Sequence, residues 1–269
     1  MLIIVTVIAM RCGATHAQNV TADKTLATIE AMPRSQAIAE MNNWLDATAK
    51  MGGKDYKKLI ACLEEMLSEP TWETHNEALF RTLIEHASTR ANCLTENEKM
   101  RPRLLLDVVQ KNAPGEVAND IYYETFDGSH HQLSEIPSPY TLIYFNDPEC
   151  LSCAKVKERL DTCTTLKNMV NDSLLTVVGI YPYENADEWR QESFPDFIIN
   201  GWDYKQQVDG EQTYDLMTMP LFYILDNEKH VILKNEASLN RVLKVMNALN
   251  GLGDSNIEDK LNAIWSINR

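Results

Sequence analysis

The sequence has no dense cluster of Lys or Arg. Its 25 basic residues are outnumbered by 39 acidic ones, which leaves a net charge of −14. A nucleic-acid binder needs concentrated positive surface against the phosphate backbone, so that class is excluded. The acidity reads as a solvated surface that keeps the protein in solution. No stretch is apolar for long enough to cross a bilayer; the run from Leu2 to Met10 is too short. Low-complexity tracts and short repeats are also missing. What is present is 44% hydrophobic and 24% charged residues over 269 positions, enough for two globular domains with separate cores.

The first residues, MLIIVTVIAMRCGATHAQ, pair that short apolar run with a small-residue stretch in which Thr15 and Ala17 fit a loose cleavage pattern. Residues 1–17 are therefore expected to be a secretory signal, although no Lys or Arg precedes the apolar run. Removal of that segment leaves Cys62, Cys93, Cys150, Cys153 and Cys163, an odd number, so at least one thiol cannot pair internally. A periplasmic or secreted location follows as an expectation, and exported proteins that keep closely spaced cysteines pair them or use them.

From residue 35 to about 112 the apolar spacing is helical. Ile38, Met41, Trp44 and Leu45 form one stripe; Tyr56, Leu59, Ile60, Leu63, Met66 and Leu67 a second; Leu79, Phe80, Leu83 and Ile84 a third. Thr95 with Glu98 three residues on predicts a capping box that opens a fourth helix. Residues 18–34 are expected to be extended. His75 and His86 are read as surface or cap residues, and a Cys62–Cys93 disulfide is left open. NAPGE at 112–116 breaks the pattern and marks a boundary. Beyond it, over 117–250, strands and helices interleave, which predicts an α/β domain. NDIYYETFDGSHHQL is expected to be a hairpin turning at Asp127-Gly128, and YTLIYF and SLLTVVGIY buried strands. A helix carrying Cys153 and Cys163 follows the first of these. LFYILDNEKHVILKN predicts two further strands, and residues 251–269 a C-terminal amphipathic helix.

Cys150 and Cys153 in DPECLSCAKVKERL carry the chemistry. A zinc site would need a second cysteine or histidine pair, and neither Cys163 nor His130-His131 supplies one, so no metal is expected. Peroxidase chemistry would place Thr or Ser three residues before the reactive cysteine, where this chain has Asp147. A redox pair needs its attacking sulfur at a helix N-terminus, with the resolving sulfur one turn inward. Cys150 and Cys153, after a buried strand and a turn with Pro148, are placed for this. Met219-Pro220, just before LFYIL, is where a second backbone segment would lie beside the sulfurs and receive a substrate chain.

Strand, turn, CLSC, helix, strand and then MTMPLFYILDNEKHVILKN resembles the thioredoxin fold. With the hairpin NDIYYETFDGSHHQLSEI it is similar to the exported, reducing TlpA/ResA-like branch. The whole chain resembles bacteroidete secreted proteins in which an uncharacterised helical domain precedes such a module. The resemblance implies a thioredoxin-like central sheet flanked by helices, preceded by a small all-α domain of about four helices. It implies a thiol–disulfide oxidoreductase without cofactor that reduces protein disulfides, reset by an external thiol electron donor. The helical domain is left as a candidate docking module for an unidentified protein. The alternative is a thioredoxin-fold interaction module with a static disulfide. Where thioredoxins carry Trp before the first cysteine, this chain has Glu149; where they carry a buried acid, it has Tyr144. Glu149 is expected to raise the Cys150 pKa, and Glu184 is a candidate for the acid that the exported branch uses.

Overall fold

Two apolar periods, one helical and one of continuous buried strands, divide the chain into two units in the computed structural model, which describes residues 16–68, 75–216, 218–253 and 255–267. One unit runs up to Gln110 and the other from Lys111 to Ile267. Apart from its last two residues, the expected signal segment lies outside the described residues.

The helical unit comprises α1 (His16–Glu30), α2 (Arg34–Met51), α3 (Gly53–Ser68), α4 (Glu77–Glu85) and α5 (Glu96–Val109), with a π-helical turn over His86–Arg90. Residues 18–30 are thus helical, followed by a short turn before Arg34, where an extended segment over 18–34 was expected. Ala22, Leu26 and Ile29 recur at helical spacing and are buried, a stripe too sparse among polar neighbours to stand out in the sequence. Helix α4 packs against α2, α3 and α5, burying Leu79, Phe80, Leu83 and Ile84. The capping box forms: Thr95 Oγ1 accepts the Glu98 N–H at 3.3 Å, and Glu98 Oε2 accepts the Thr95 N–H at 2.8 Å. Cys62 is buried and unbridged, its thiol 3.9 Å from the Met66 sulfur.

The second unit is a seven-stranded mixed sheet flanked by helices. Its strands are β1 (Tyr122–Thr125), β2 (His130–Gln132), β3 (Tyr140–Phe145), β4 (Leu175–Tyr181), β5 (Ile198–Trp202), β6 (Leu221–Leu225) and β7 (Val231–Glu236). The order is β2-β1-β5-β4-β3-β6-β7. Strands β3, β4 and β5 are parallel, whereas β6, β7 and the β1–β2 hairpin run antiparallel to their neighbours. The hairpin turns at Asp127-Gly128, where Gly128 adopts φ +80°. Both faces of the central strands are covered, which is why YTLIYF has no polar alternation. Tyr140, Leu142 and Tyr144 enter one core with Leu160, Leu166, Val242 and Met246; Ile143 and Phe145 enter the other with Ile121, Tyr123 and Tyr223.

Helices α6 (Leu151–Asp161), α7 (Thr164–Asn171), the short α8 (Ala186–Trp189), α9 (Leu239–Leu249) and α10 (Ile257–Ile267) complete this unit. Contrary to the expectation of one helix carrying both cysteines, the Cys153 helix ends at Asp161 and Cys163 lies beyond it. It is the N-cap of α7 with φ −79° and ψ 96°, a break set among the threonines Thr162, Thr164 and Thr165, whose β-branching disfavours helix. Ile264 of α10 is buried in the sheet's first core, so the C-terminal helix is an integral part of this unit.

Candidate active site

Strand β3 delivers the chain to the site. Beyond Phe145, buried Asn146 donates its backbone N–H to Ile180 O at 3.2 Å and its side-chain amide to the same oxygen at 3.3 Å, fastening the turn to the end of β4. Asp147 then organises the turn. Its carboxylate accepts the Glu149 N–H at 2.9 Å and its carbonyl the Cys150 N–H at 3.1 Å. Cys150 follows as the N-cap of α6, in extended conformation, and its sulfur accepts the Cys153 N–H at 3.2 Å. A cysteine sulfur thus occupies the place where Ser or Asp would satisfy a first-turn donor.

The two sulfurs differ in environment. Cys150 is half-buried, with its neighbour Leu151 exposed, whereas Cys153 is buried. Tyr144 donates its hydroxyl to the Cys153 carbonyl at 3.0 Å and stacks on Phe222. The Cys153 pKa is pushed up to about 12, first by burial and then by the hydrogen bond between its thiol and the Cys150 sulfur; a backbone N–H of Asp147 pulls the other way. At pH 7 about one part in 10⁵ of such a thiol is ionised.

The antiparallel register Phe145↔Leu221 brings the segment before β6 alongside this turn. There the Cys150 thiol meets the Met219 carbonyl at 3.7 Å, and the Met219-Pro220 peptide is cis. Cys150, Cys153, Met219 and Pro220 are therefore brought together. Glu149 and Glu184 are both exposed. Glu184 lies in the loop after β4, where its carbonyl accepts the Ala186 N–H at 3.0 Å. The carboxylate whose charge reaches Cys153 is that of Asp147, which helps to raise the thiol's pKa.

Tyr183 is a residue that sequence reasoning passed over. The register Phe145↔Ile180 between parallel β3 and β4 sets the segment after Tyr181 beside Asp147. The Trp202 indole N–H fixes the Tyr183 carbonyl at 2.9 Å, and its ring meets Tyr181 edge-on. Burial raises the Tyr183 pKa, with Asp147 and, more weakly, both cysteines adding to the effect. Asp147→Asn is accordingly expected to lower the Cys153 pKa and to speed its alkylation at pH 8 by about threefold in a Cys150→Ser background. Glu149→Gln should leave that rate unchanged. Equal rates for the two variants would remove Asp147 from the electrostatics of the pair.

Strand order, a cysteine pair opening the helix after the central strand, and a proline segment facing it define the thioredoxin-like fold. The chain has that fold. A thioredoxin-like protein from Bacteroides caccae matches it with a TM-score of 0.78 and 27% identity, over 86% of this chain and 84% of that one. The sheet-bearing unit alone spans only 111–267, so that match extends into the helical unit. The C-terminal domain of an uncharacterized protein from Bacteroides fragilis is 32% identical, with a TM-score of 0.49, over 51% of this chain and 99% of that one. The thioredoxin domain of a thiol-disulfide oxidoreductase from Bacteroides vulgatus is 17% identical, with a TM-score of 0.42, over 51% and 97%. No protein-family model matches the chain, and no curated protein sequence does.

Proposed function

We propose that this chain is an extracytoplasmic thiol–disulfide oxidoreductase of the TlpA/ResA-like kind that reduces protein disulfides. The observation that carries the reading is the position of the Cys150 sulfur. It caps α6 at 3.2 Å from the Cys153 N–H and faces the Met219 carbonyl at 3.7 Å, while Cys153 waits buried one turn inward. The short apolar run at the N-terminus supports export.

In the forward direction the Cys150 thiolate attacks a substrate disulfide, forming a mixed disulfide and releasing one substrate thiolate. Cys153 then gives up its proton, attacks the Cys150 sulfur and releases the second substrate thiolate. Two electrons have passed to the substrate, and the protein holds a Cys150–Cys153 disulfide. An external dithiol donor reverses that oxidation. Asp147, the carboxylate coupled to Cys153, is the acceptor proposed for its proton. The backbone beside Met219 holds the substrate chain across the sulfurs.

The test is reduction of insulin by dithiothreitol. The wild-type protein should accelerate it, and Cys150→Ser should return it to the uncatalysed rate. Equal rates for the two proteins would leave the fold as a binding module.

A further inference from the structure

A different place in the second unit carries chemistry that the redox reading does not use. Strand β5 pairs with β4 along its whole length, from Ile198 to Trp202. On its other side, the β1 ladder reaches only Gly201 and Trp202. Strand β1 cannot continue, because Asp127 Oδ1 accepts both the Thr125 hydroxyl at 2.7 Å and the Ser129 N–H at 3.0 Å, curling the chain back into β2. Beyond that turn the flank at Ile199 and Asn200 opens onto a groove of about 590 Å³, walled by Phe126, Asp127 and His131 on one side and Phe194, Pro195 and Asp196 on the other, while the Ile198 N–H is already given to the Pro195 carbonyl at 2.9 Å. A groove of this size lies within the range of ligand sites.

The floor is built rather than loose. Asn200 accepts the Trp189 indole N–H at 2.8 Å and donates to the Glu192 carbonyl at 3.3 Å, and Phe126 packs on Trp189 with ring centroids 4.9 Å apart. Phe126 nevertheless remains 54% exposed and Ile199 36% exposed, two large apolar side chains in an otherwise satisfied wall. An open strand flank between apolar walls is a template for one more strand. We propose that this groove binds an extended segment of a partner polypeptide by strand addition beside β5. The partner's apolar residues would alternate along the Phe126 and Ile199 surface.

Charge selects among such segments. The carboxylates of Asp127 and Asp196 stand at the rim, Glu192 is engaged by Lys157 and His131 is the groove's own cationisable group. The chain as a whole carries −14. The partner segment is therefore basic, with Lys or Arg between its apolar positions. The groove shares no residue with the Cys150–Met219 cleft, so its occupancy does not require the redox reading to be correct.

The test uses the full chain and the synthetic peptide acetyl-Val-Lys-Val-Lys-Val-amide, followed by hydrogen exchange. At a peptide concentration ten times its Kd, exchange of the Asn200 amide, the donor of this flank that neither β4 nor Pro195 takes, should slow by about tenfold. The same peptide N-methylated at both lysines loses backbone donors and should give no protection there. Phe126→Ser, at an exposed position, should weaken binding by about tenfold without unfolding the sheet. Absence of protection by the first peptide, or equal protection by the N-methylated one, would overturn strand addition. Equal binding of acetyl-Val-Glu-Val-Glu-Val-amide would overturn the assignment of a basic partner.

Discussion

Cys153→Ser is expected to turn the protein from a catalyst into a trap. With the buried thiol gone, a substrate that has formed a mixed disulfide with Cys150 has no intramolecular route of release. Attack by a neighbouring group held one helical turn away replaces a bimolecular encounter, and losing that advantage should slow insulin reduction by about a thousandfold. Mixed with oxidised insulin before any dithiothreitol is added, the reduced variant should accumulate a stoichiometric adduct, seen on a non-reducing gel and by mass, that dithiothreitol then dissolves. Cys150→Ser should form no such adduct, since Cys153 is 3% exposed and ionised only in trace amounts at neutral pH. Cys163 sits at the start of α7, not on α6, so it cannot stand in for Cys153, and Cys163→Ser should turn over as the wild type does. Turnover by Cys153→Ser within tenfold of wild type would show that release does not depend on the inner sulfur.

The parts of this site that the sequence disclosed are those set by local rules. YTLIYF is apolar throughout because both its faces are covered, and a run of that kind followed by Pro148 and a cysteine pair announces strand, turn and helix. Thr95 and Glu98 announce a helix start by their spacing alone. What stayed hidden depends on contacts distant in sequence. Strand β5 is interrupted by Asn200 and Gly201, poor strand formers; only in the folded sheet is it plain that Gly201 makes room for Tyr123, whose ring would lie 2.8 Å from an added Cβ. Asp147 and Tyr183 are separated by a helix pair and a strand, and the β3–β4 register alone sets them side by side. Glu184, the acid the resemblance suggested, is one position beyond the residue that this register favours. The histidines misled for a related reason. His75 and His86 look like surface residues in a polar stretch, yet both are buried, because their partners come from elsewhere in the chain. His75 Nδ1 bonds to Leu67 O at 2.8 Å, and His86 is held from two other helices.

That second histidine carries the largest stability effect expected in the helical unit. His86 opens the π-helical turn, and its ring joins a chain of polar groups. Nδ1 lies 2.6 Å from the Tyr56 hydroxyl and Nε2 lies 2.9 Å from Asp46 Oδ1; Asp46 Oδ2 accepts from Arg90 at 2.6 Å, and Arg90 reaches Asn42 at 2.9 Å. With the Tyr56 hydroxyl donating to Nδ1, the Nε2 proton is given to Asp46 and the ring is neutral. His86→Ala would leave a buried tyrosine hydroxyl without its partner and a cavity beside it, an expected loss of about 3 kcal/mol. His86→Gln, which can keep one of the two bonds, should lose less. The pH dependence has a definite sign. Burial lowers the His86 pKa from 6.5, against the opposing pull of Asp46. The unfolded chain therefore takes up the proton first, so stability is fully present above about pH 6.5 and declines as pH falls through the folded-state pKa. Calorimetric melting of the wild type between pH 7.5 and 5 should show the helical transition moving down as acid is added, and His86→Gln should flatten that slope. A transition that rises on acidification, or one that falls equally in the variant, would mean that the ring is held as a cation or that another group governs the acid limb.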